Sequence, residues 1–305
     1  MQPHKPAQEK RAPEWTTKPE RSNILAIRLI AWIARTLGRS AARLFLYPIC
    51  GYFMLSSPKV RAASKKYLHR ALGREPRLAD GFRHCHTFAS TILDRVFLLD
   101  DRIGVMDVRI HGQEALRDMV AEGRGCIMLG AHLGSFEIVR SLSREKFAPP
   151  ACMVIYEENA RKLNSVLHAI NPELSQRVIE LGKPDSMLKV GAALARGEFI
   201  GILADRVIEG EGNALCDFLG ESAKFPTGPM RMAYMLKAPV MLMVGLYRGG
   251  NRYDVYFEKL QDMGAPAAVP REAVIGQAVR DYAARIEYYC RMAPYNWFNF
   301  FDFWR

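Results

Sequence analysis

The sequence predicts an α/β fold: a central sheet, mostly parallel or mixed, flanked by helices and preceded by a helical, membrane-associating N-terminal region. Three observations lead there. From about residue 105 to 260, short apolar runs alternate with stretches of helical periodicity, the pattern of strand–helix units. Two of those runs end directly in polar residues, His132 after one and Asp205 after the other. The first 90 residues hold 17 Lys/Arg against 5 Asp/Glu, and the rest hold 26 against 27, so the +11 net charge belongs to the N-terminal third.

Residues 1–22 are polar and carry Pro3, Pro6, Pro13 and Pro19, which predicts a disordered leader rather than a signal peptide. Residues 23–103 read as a basic, amphipathic helical region. In 23–46, Arg28, Arg35, Arg39 and Arg43 recur at helical spacing opposite Ala26, Ile30, Ile33, Leu37, Ala41 and Leu44, with Trp32 near the arginine stripe. Residues 44–55 are nearly uncharged. Twelve residues are too few to span a bilayer, and Pro48 and Gly51 predict an interruption, so a re-entrant or surface-embedded segment is expected. Such a basic region suits an anionic membrane surface or an acidic partner protein.

Residues 104–305 read as the α/β domain. Strands are expected at 105–110, 126–129, 153–156, 178–181, 199–204, 240–247 and 253–257, the last two joined through Gly-Gly-Asn. Helices are expected at 113–122, 136–142, from 157 to near Asn171-Pro172, at 186–196, 230–237 and 271–292. Residues 209–213 read as a polar loop, 225–229 as a turn and helix start, and Tyr295 to Arg305 is unusually aromatic without an assigned element. Six cysteines lack any C-x-x-C pair, which argues against a disulfide scaffold. His84-Cys85-His86 is no metal site by spacing, and one His with one Glu cannot supply three zinc ligands, so no metal is expected.

The stretch around which the rest is arranged is Gly130-Ala131-His132-Leu133-Gly134-Ser135-Phe136-Glu137, a strand, a tight turn and a helix start. An imidazole there can take a proton from a hydroxyl near neutral pH. A carboxylate on its other nitrogen would fix the tautomer, and Glu137 follows His132 by five positions. Ser135 reads as an N-cap. In open α/β sheets ligands sit beyond the strand C-ends, where both His132 and Asp205 fall.

These residues resemble the His-x4-Asp/Glu box of the lysophospholipid acyltransferase superfamily. The glutamate variant resembles the bacterial lipid A biosynthesis acyltransferase family. Leu203-Ala204-Asp205, then Phe218-Leu219-Gly220, then Pro226-Thr227-Gly228-Pro229 are similar to its later blocks and stand in the same order. One block departs: Tyr156-Glu157-Glu158-Asn159 stands where a Tyr-Arg-Pro-like run is usual, with the next arginine at Arg161. The aromatic C-terminus looks more like the branch encoded beside aryl-polyene pigment pathways.

The resemblance implies transfer of a fatty acyl chain from a thioester of acyl carrier protein or coenzyme A to a hydroxyl of a lipid or glycolipid, with no cofactor. It implies His132 as general base oriented by Glu137. Gly134, Arg161, Asp205, Arg206, Thr227 and Gly228 become candidates for holding substrate, with backbone N–H groups near Gly134 or Thr227-Gly228 receiving the oxyanion. It places the protein at the cytoplasmic face of the bacterial inner membrane, peripheral or shallowly embedded. A nucleic-acid binder is disfavoured, because no recognition motif accompanies the basic region. A non-catalytic membrane scaffold would keep the amphipathic N-terminus but have no need of His132.

Overall fold

The computed structural model describes residues 32–100, 102–142, 150–156, 178–208, 210–265 and 269–304. The predicted leader, the helix expected from residue 157 and Arg161 lie outside them.

Among the described residues, 32–36 are helical, and α1 (Gly38–Ser56), α2 (Pro58–Leu72) and α3 (Leu78–Leu99) follow. The sheet domain follows as β1 (Asp107–His111), α4 (Gln113–Ala121), β2 (Cys126–Gly130), α5 (Phe136–Leu142), β3 (Ala151–Tyr156), β4 (Val178–Leu181), α6 (Ser186–Ala195) and β5 (Phe199–Leu203). Next come β6 (Asn213–Phe218), β7 (Glu221–Pro226), α7 (Gly228–Met235), β8 (Pro239–Gly249), β9 (Arg252–Asp262) and α8 (Arg271–Met292). The main sheet has the order β1-β9-β8-β2-β5-β3-β4 and is parallel except where β8 meets β9. It is therefore mostly parallel and flanked by helices, as its alternating pattern predicts.

The central strands explain themselves. In β2 all five residues are buried, and the first four of β5 are, because helices cover both faces of this part of the sheet. One core gathers Ile127, Leu129, Ile200, Ile202 and α8 residues such as Tyr282 and Ile286. The opposite core joins Met128, Met241, Met243 and Val255 to Ala42, Leu46, Leu93 and Phe97. The helices of the N-terminal third thus share a core with the sheet.

Two sequence expectations change here. The stretch 44–55 belongs to one helix, α1, which continues through Pro48 to Ser56. Proline within a helix costs about 3 kcal/mol, and packing of Ala42, Leu46 and Cys50 against the body offsets it. The arginine stripe also faces the other way. Arg39 makes a two-pronged ion pair with the fully buried Asp94 of α3, at 2.6 and 2.7 Å. Arg35 pairs likewise with Asp100, and Arg43 donates to the Tyr247 hydroxyl and to Gly250 O. Arg28 lies outside the described residues, and the other three arginines are spent on the protein's own carboxylates, a carbonyl and a tyrosine hydroxyl. What α1 turns to the outside is apolar: Leu44, Phe45, Tyr47, Tyr52 and Leu55 are all exposed.

The stretch left without an element between the 209–213 loop and α7 holds an antiparallel hairpin, β6 with β7. Its Cys216, Phe218, Ala223 and Phe225 alternate inward. The alternation is short, covering 216–218 and 223–225, and the exposed Leu215 interrupts it.

Candidate active site

β2 and β5 are neighbours in the sheet, and Gly130 lies opposite Leu203. The residues just past each strand therefore meet. His132 Nδ1 lies 2.8 Å from Asp205 Oδ1, and the His132 backbone N–H donates to Asp205 Oδ2 at 3.1 Å. Asp205 has no solvent exposure, whereas the His132 side chain is 29% exposed. One edge of the imidazole is thus bound to a buried carboxylate, and part of the ring remains open to an incoming group.

A turn through Gly134 makes this possible. Its φ is +71°, and a Cβ there would stand 2.0 Å from Gly245 O of β8. Gly245 is equally tight, since a Cβ would meet Ile138 Cγ2 and Ser135 O, each at 2.5 Å. Two glycines facing each other let the loop leave β2 flush against β8. Ser135 then caps α5, its hydroxyl accepting the Ile138 N–H at 3.3 Å.

The aromatic C-terminal stretch completes the site. Residues 296–298 run antiparallel to the loop: Gly134 N–H donates to Asn296 O at 2.8 Å, and Phe298 N–H donates to His132 O at 2.7 Å. The Trp297 indole N–H donates to Asp205 Oδ2 at 3.1 Å, and the Asn299 amide donates to the same oxygen at 2.9 Å. Arg206 donates from Nε to Asn299 Oδ1 at 2.7 Å, which fixes the orientation of that amide. Trp297 is fully buried among Tyr67, Phe218 and Phe303. Its carbonyl meets Nε2 of the buried His84 at 2.8 Å, and His84 Nδ1 meets the Ser64 hydroxyl at 2.8 Å. Burial depresses His84 to about 4, so it is a neutral strut.

The electrostatics favour a neutral imidazole on an ionised carboxylate. Burial works against the Asp205 charge, but His132, Arg206 and the Asn299 amide together hold the carboxyl well below its usual range. Burial and the Arg206 and Arg95 charges lower the His132 pKa below its ordinary 6.5, against the opposing pull of Asp205. Beside an ionised Asp205, Nδ1 carries the proton, and Nε2 keeps its lone pair.

Several expected roles do not match this geometry. Glu137 does not reach His132, whose Nδ1 is taken by Asp205. Its buried carboxylate instead pairs with Arg140, at 2.6 to 2.7 Å, and with Arg95 at 3.6 Å. The first turn of α5 points it toward α3 rather than back across the loop. The Gly134 N–H is spent on Asn296 O and is not free for an oxyanion. Thr227 bonds to Gly212 and Arg231, and Gly228 opens α7, so their described polar contacts lie apart from the His132 cluster. Asp205 and Arg206 do join His132. Trp297 and Asn299 were not foreseen; the signal available was two asparagines set in an otherwise aromatic run.

A model of the bacterial lipid A biosynthesis acyltransferase family matches residues 17–305. The chain belongs to that family. The family supports an acyltransferase with an acyl donor and a lipid acceptor in general terms. Among curated proteins no match to this acyltransferase is found.

Proposed function

We propose that this acyltransferase moves a fatty acyl group from an acyl thioester, on acyl carrier protein or coenzyme A, to a hydroxyl of a lipid or glycolipid. His132 Nε2 takes the proton of the acceptor hydroxyl as that oxygen attacks the thioester carbonyl. Asp205, rather than the glutamate five positions along, holds Nδ1–H and stabilises the imidazolium. The proton on Nε2 then goes to the departing thiolate as the tetrahedral intermediate collapses. Arg206, whose charge already reaches His132, stabilises the oxyanion. The single observation that carries this reading is a partly open imidazole hydrogen-bonded to a carboxylate that is wholly shielded from solvent.

The test compares mass spectra of lipid and glycolipid extracts from cells making the intact chain or His132→Ala at matched levels. A species lacking one acyl mass in the variant supports the reading and identifies acceptor and chain, whether a lipid A-type glycolipid or an aryl-polyene lipid. An acylated product that persists with His132→Ala removes the base.

We further propose that the protein works on the cytoplasmic membrane surface through the outer side of α1. No helix among the described residues is long and apolar enough to cross a membrane. Leu44 and Leu55 nevertheless stand 69% and 81% exposed beside Tyr52 and Phe45. Such a face would sink into the interface. Burying a leucine yields about 1.5–3 kcal/mol, so Leu44→Glu with Leu55→Glu is expected to weaken vesicle binding about 100-fold, with little response to salt. Equal sedimentation of both proteins with vesicles would sink the idea.

A further inference from the structure

Leu78, at the start of α3, is 82% exposed, and it does not stand alone. A Cβ on Gly81 would lie 3.1 Å from Met54 Cε, so the first turn of α3 lies against the last turn of α1, next to the exposed Leu55. One turn on from Leu78, the Phe82 ring stacks on the exposed Tyr47 of α1 at 6.2 Å, and His86 meets the same tyrosine at 4.7 Å. The apolar outer side of α1 therefore continues onto α3 through Tyr47, Phe82 and Leu78.

Cations border this extension. Residues 58–83 hold eight Lys/Arg against two acids, Glu75 and Asp80. Both acids are taken: Arg74 grips Asp80 at 2.8 and 3.1 Å, and Glu75 meets Lys65 at 3.5 Å and His69 at 3.2 Å. Arg77 precedes Leu78 and Arg83 follows Phe82. Both arginines are exposed, and among the described residues neither pairs with a carboxylate. The Arg83 guanidinium lies 4.4 Å from the centre of the Tyr295 ring, and the Tyr295 hydroxyl donates to Asp80 Oδ1 at 2.7 Å, which keeps that charge in place. Tyr295 is followed by Asn296, whose carbonyl accepts the Gly134 N–H, so this corner borders the segment that closes the His132 loop.

An exposed leucine between free guanidinium groups suits a bilayer interface, where the apolar side chain enters the acyl region and arginine stays at headgroup level. Phosphate-bearing headgroups supply the opposite charge. An acidic carrier protein would answer the charges alone; a bilayer answers both the charges and an apolar tract that runs along two helices. Resting on the reading of α1 as the interfacial helix, we propose that Arg77, Leu78 and Arg83 form a second contact with the bilayer, one that selects anionic phospholipid headgroups. α1 supplies apolar attachment, and this corner supplies the preference for negative charge.

The test is sedimentation of the full chain with vesicles of phosphatidylcholine alone or of phosphatidylcholine mixed equally with phosphatidylglycerol, at low and high salt. The parent should bind the mixed vesicles about 30-fold or more tightly at low salt, and the preference should shrink at high salt. Arg77→Gln with Arg83→Gln should lose about 30-fold on mixed vesicles, the effect of two charges at an anionic surface, and nothing on phosphatidylcholine. Arg77→Lys with Arg83→Lys should keep the preference, because it keeps the charges. Leu78→Ser should lose about tenfold or more on both kinds of vesicle. A parent indifferent to phosphatidylglycerol, or a glutamine pair that keeps the preference, would overturn this corner and leave α1 in place. A lost preference in the glutamine pair, with no loss in Leu44→Glu plus Leu55→Glu, would reject the α1 contact alone. A glutamine pair that binds vesicles like the parent but has a raised KM for an acyl carrier protein thioester would assign the charges to the carrier protein and overturn the proposal.

Discussion

Asp205→Asn is expected to lower turnover by about 10³- to 10⁴-fold, nearly as much as His132→Ala, although it changes one oxygen to nitrogen. The reason is the number of donors on one atom. Asp205 Oδ2 accepts from the His132 backbone N–H, the Trp297 indole and the Asn299 amide. An asparagine would have to put its carbonyl oxygen there, since an NH₂ group would face three N–H groups. Its NH₂ would then point at His132 Nδ1 and donate to it. The imidazole would be forced into the other tautomer, with its proton on Nε2 and no lone pair for the acceptor hydroxyl. Because the two residues act as one unit, the double variant should be little worse than either single one.

The pH profile gives an independent check. In the proposed mechanism His132 must be neutral to act as base, and its pKa is lowered from 6.5, so the intact enzyme should sit on its plateau at pH 7. Activity should fall only as acid protonates the imidazole. Asp205 is the group that raises the His132 pKa. Its neutralisation removes that opposing pull, and the residual activity of Asp205→Asn should show an acid limb shifted to lower pH. An unshifted limb would mean that the titrating group is not His132.

Gly134→Ala is the second large effect, and it acts on the fold first. The residue sits at φ +71°, where an L side chain is strained, and its Cβ would overlap the Gly245 carbonyl oxygen. Left-handed backbone costs about 1 kcal/mol, and overpacking adds about 1–3 kcal/mol. A loss on the order of 3 kcal/mol should appear as a lower denaturant midpoint with an unchanged slope. Relief requires the loop to move off β8, which would also break Gly134 N–H to Asn296 O and detach the segment holding Trp297. Activity should therefore fall even at temperatures where the variant is folded. A variant as stable as the parent would contradict the close approach of the two glycines.

Much of the sheet was legible in the sequence, because β2 and β5 are continuous apolar runs with turn residues at both ends. Hairpin β6–β7 was not, because its alternation covers only 216–218 and 223–225, and an apolar Leu215 occupies an outward position. At the site, His132 and Asp205 were each readable as polar residues at strand ends, but their pairing was not. It depends on β2 and β5 being adjacent in the sheet, which spacing along the chain does not encode. The same blindness favoured Glu137 as the partner, since five positions along the chain looks close. Direction mattered more than separation, and the first turn of α5 sends that side chain toward α3. Arg35 and Arg39 misled in a similar way. Their periodicity was real, but the carboxylates they answer, Asp94 and Asp100, lie more than fifty residues further on.

Two of the three donors on Asp205 Oδ2 come from residues 297 and 299, long after His132 has been synthesised. A growing chain can pair β2 with β5 and bring imidazole and carboxylate together while the carboxylate still lacks those partners. The set is complete only when residues 296–298 have lain down along the turn. The His132–Asp205 pair thus reaches its full set of hydrogen bonds only once residues 297 and 299 are in place.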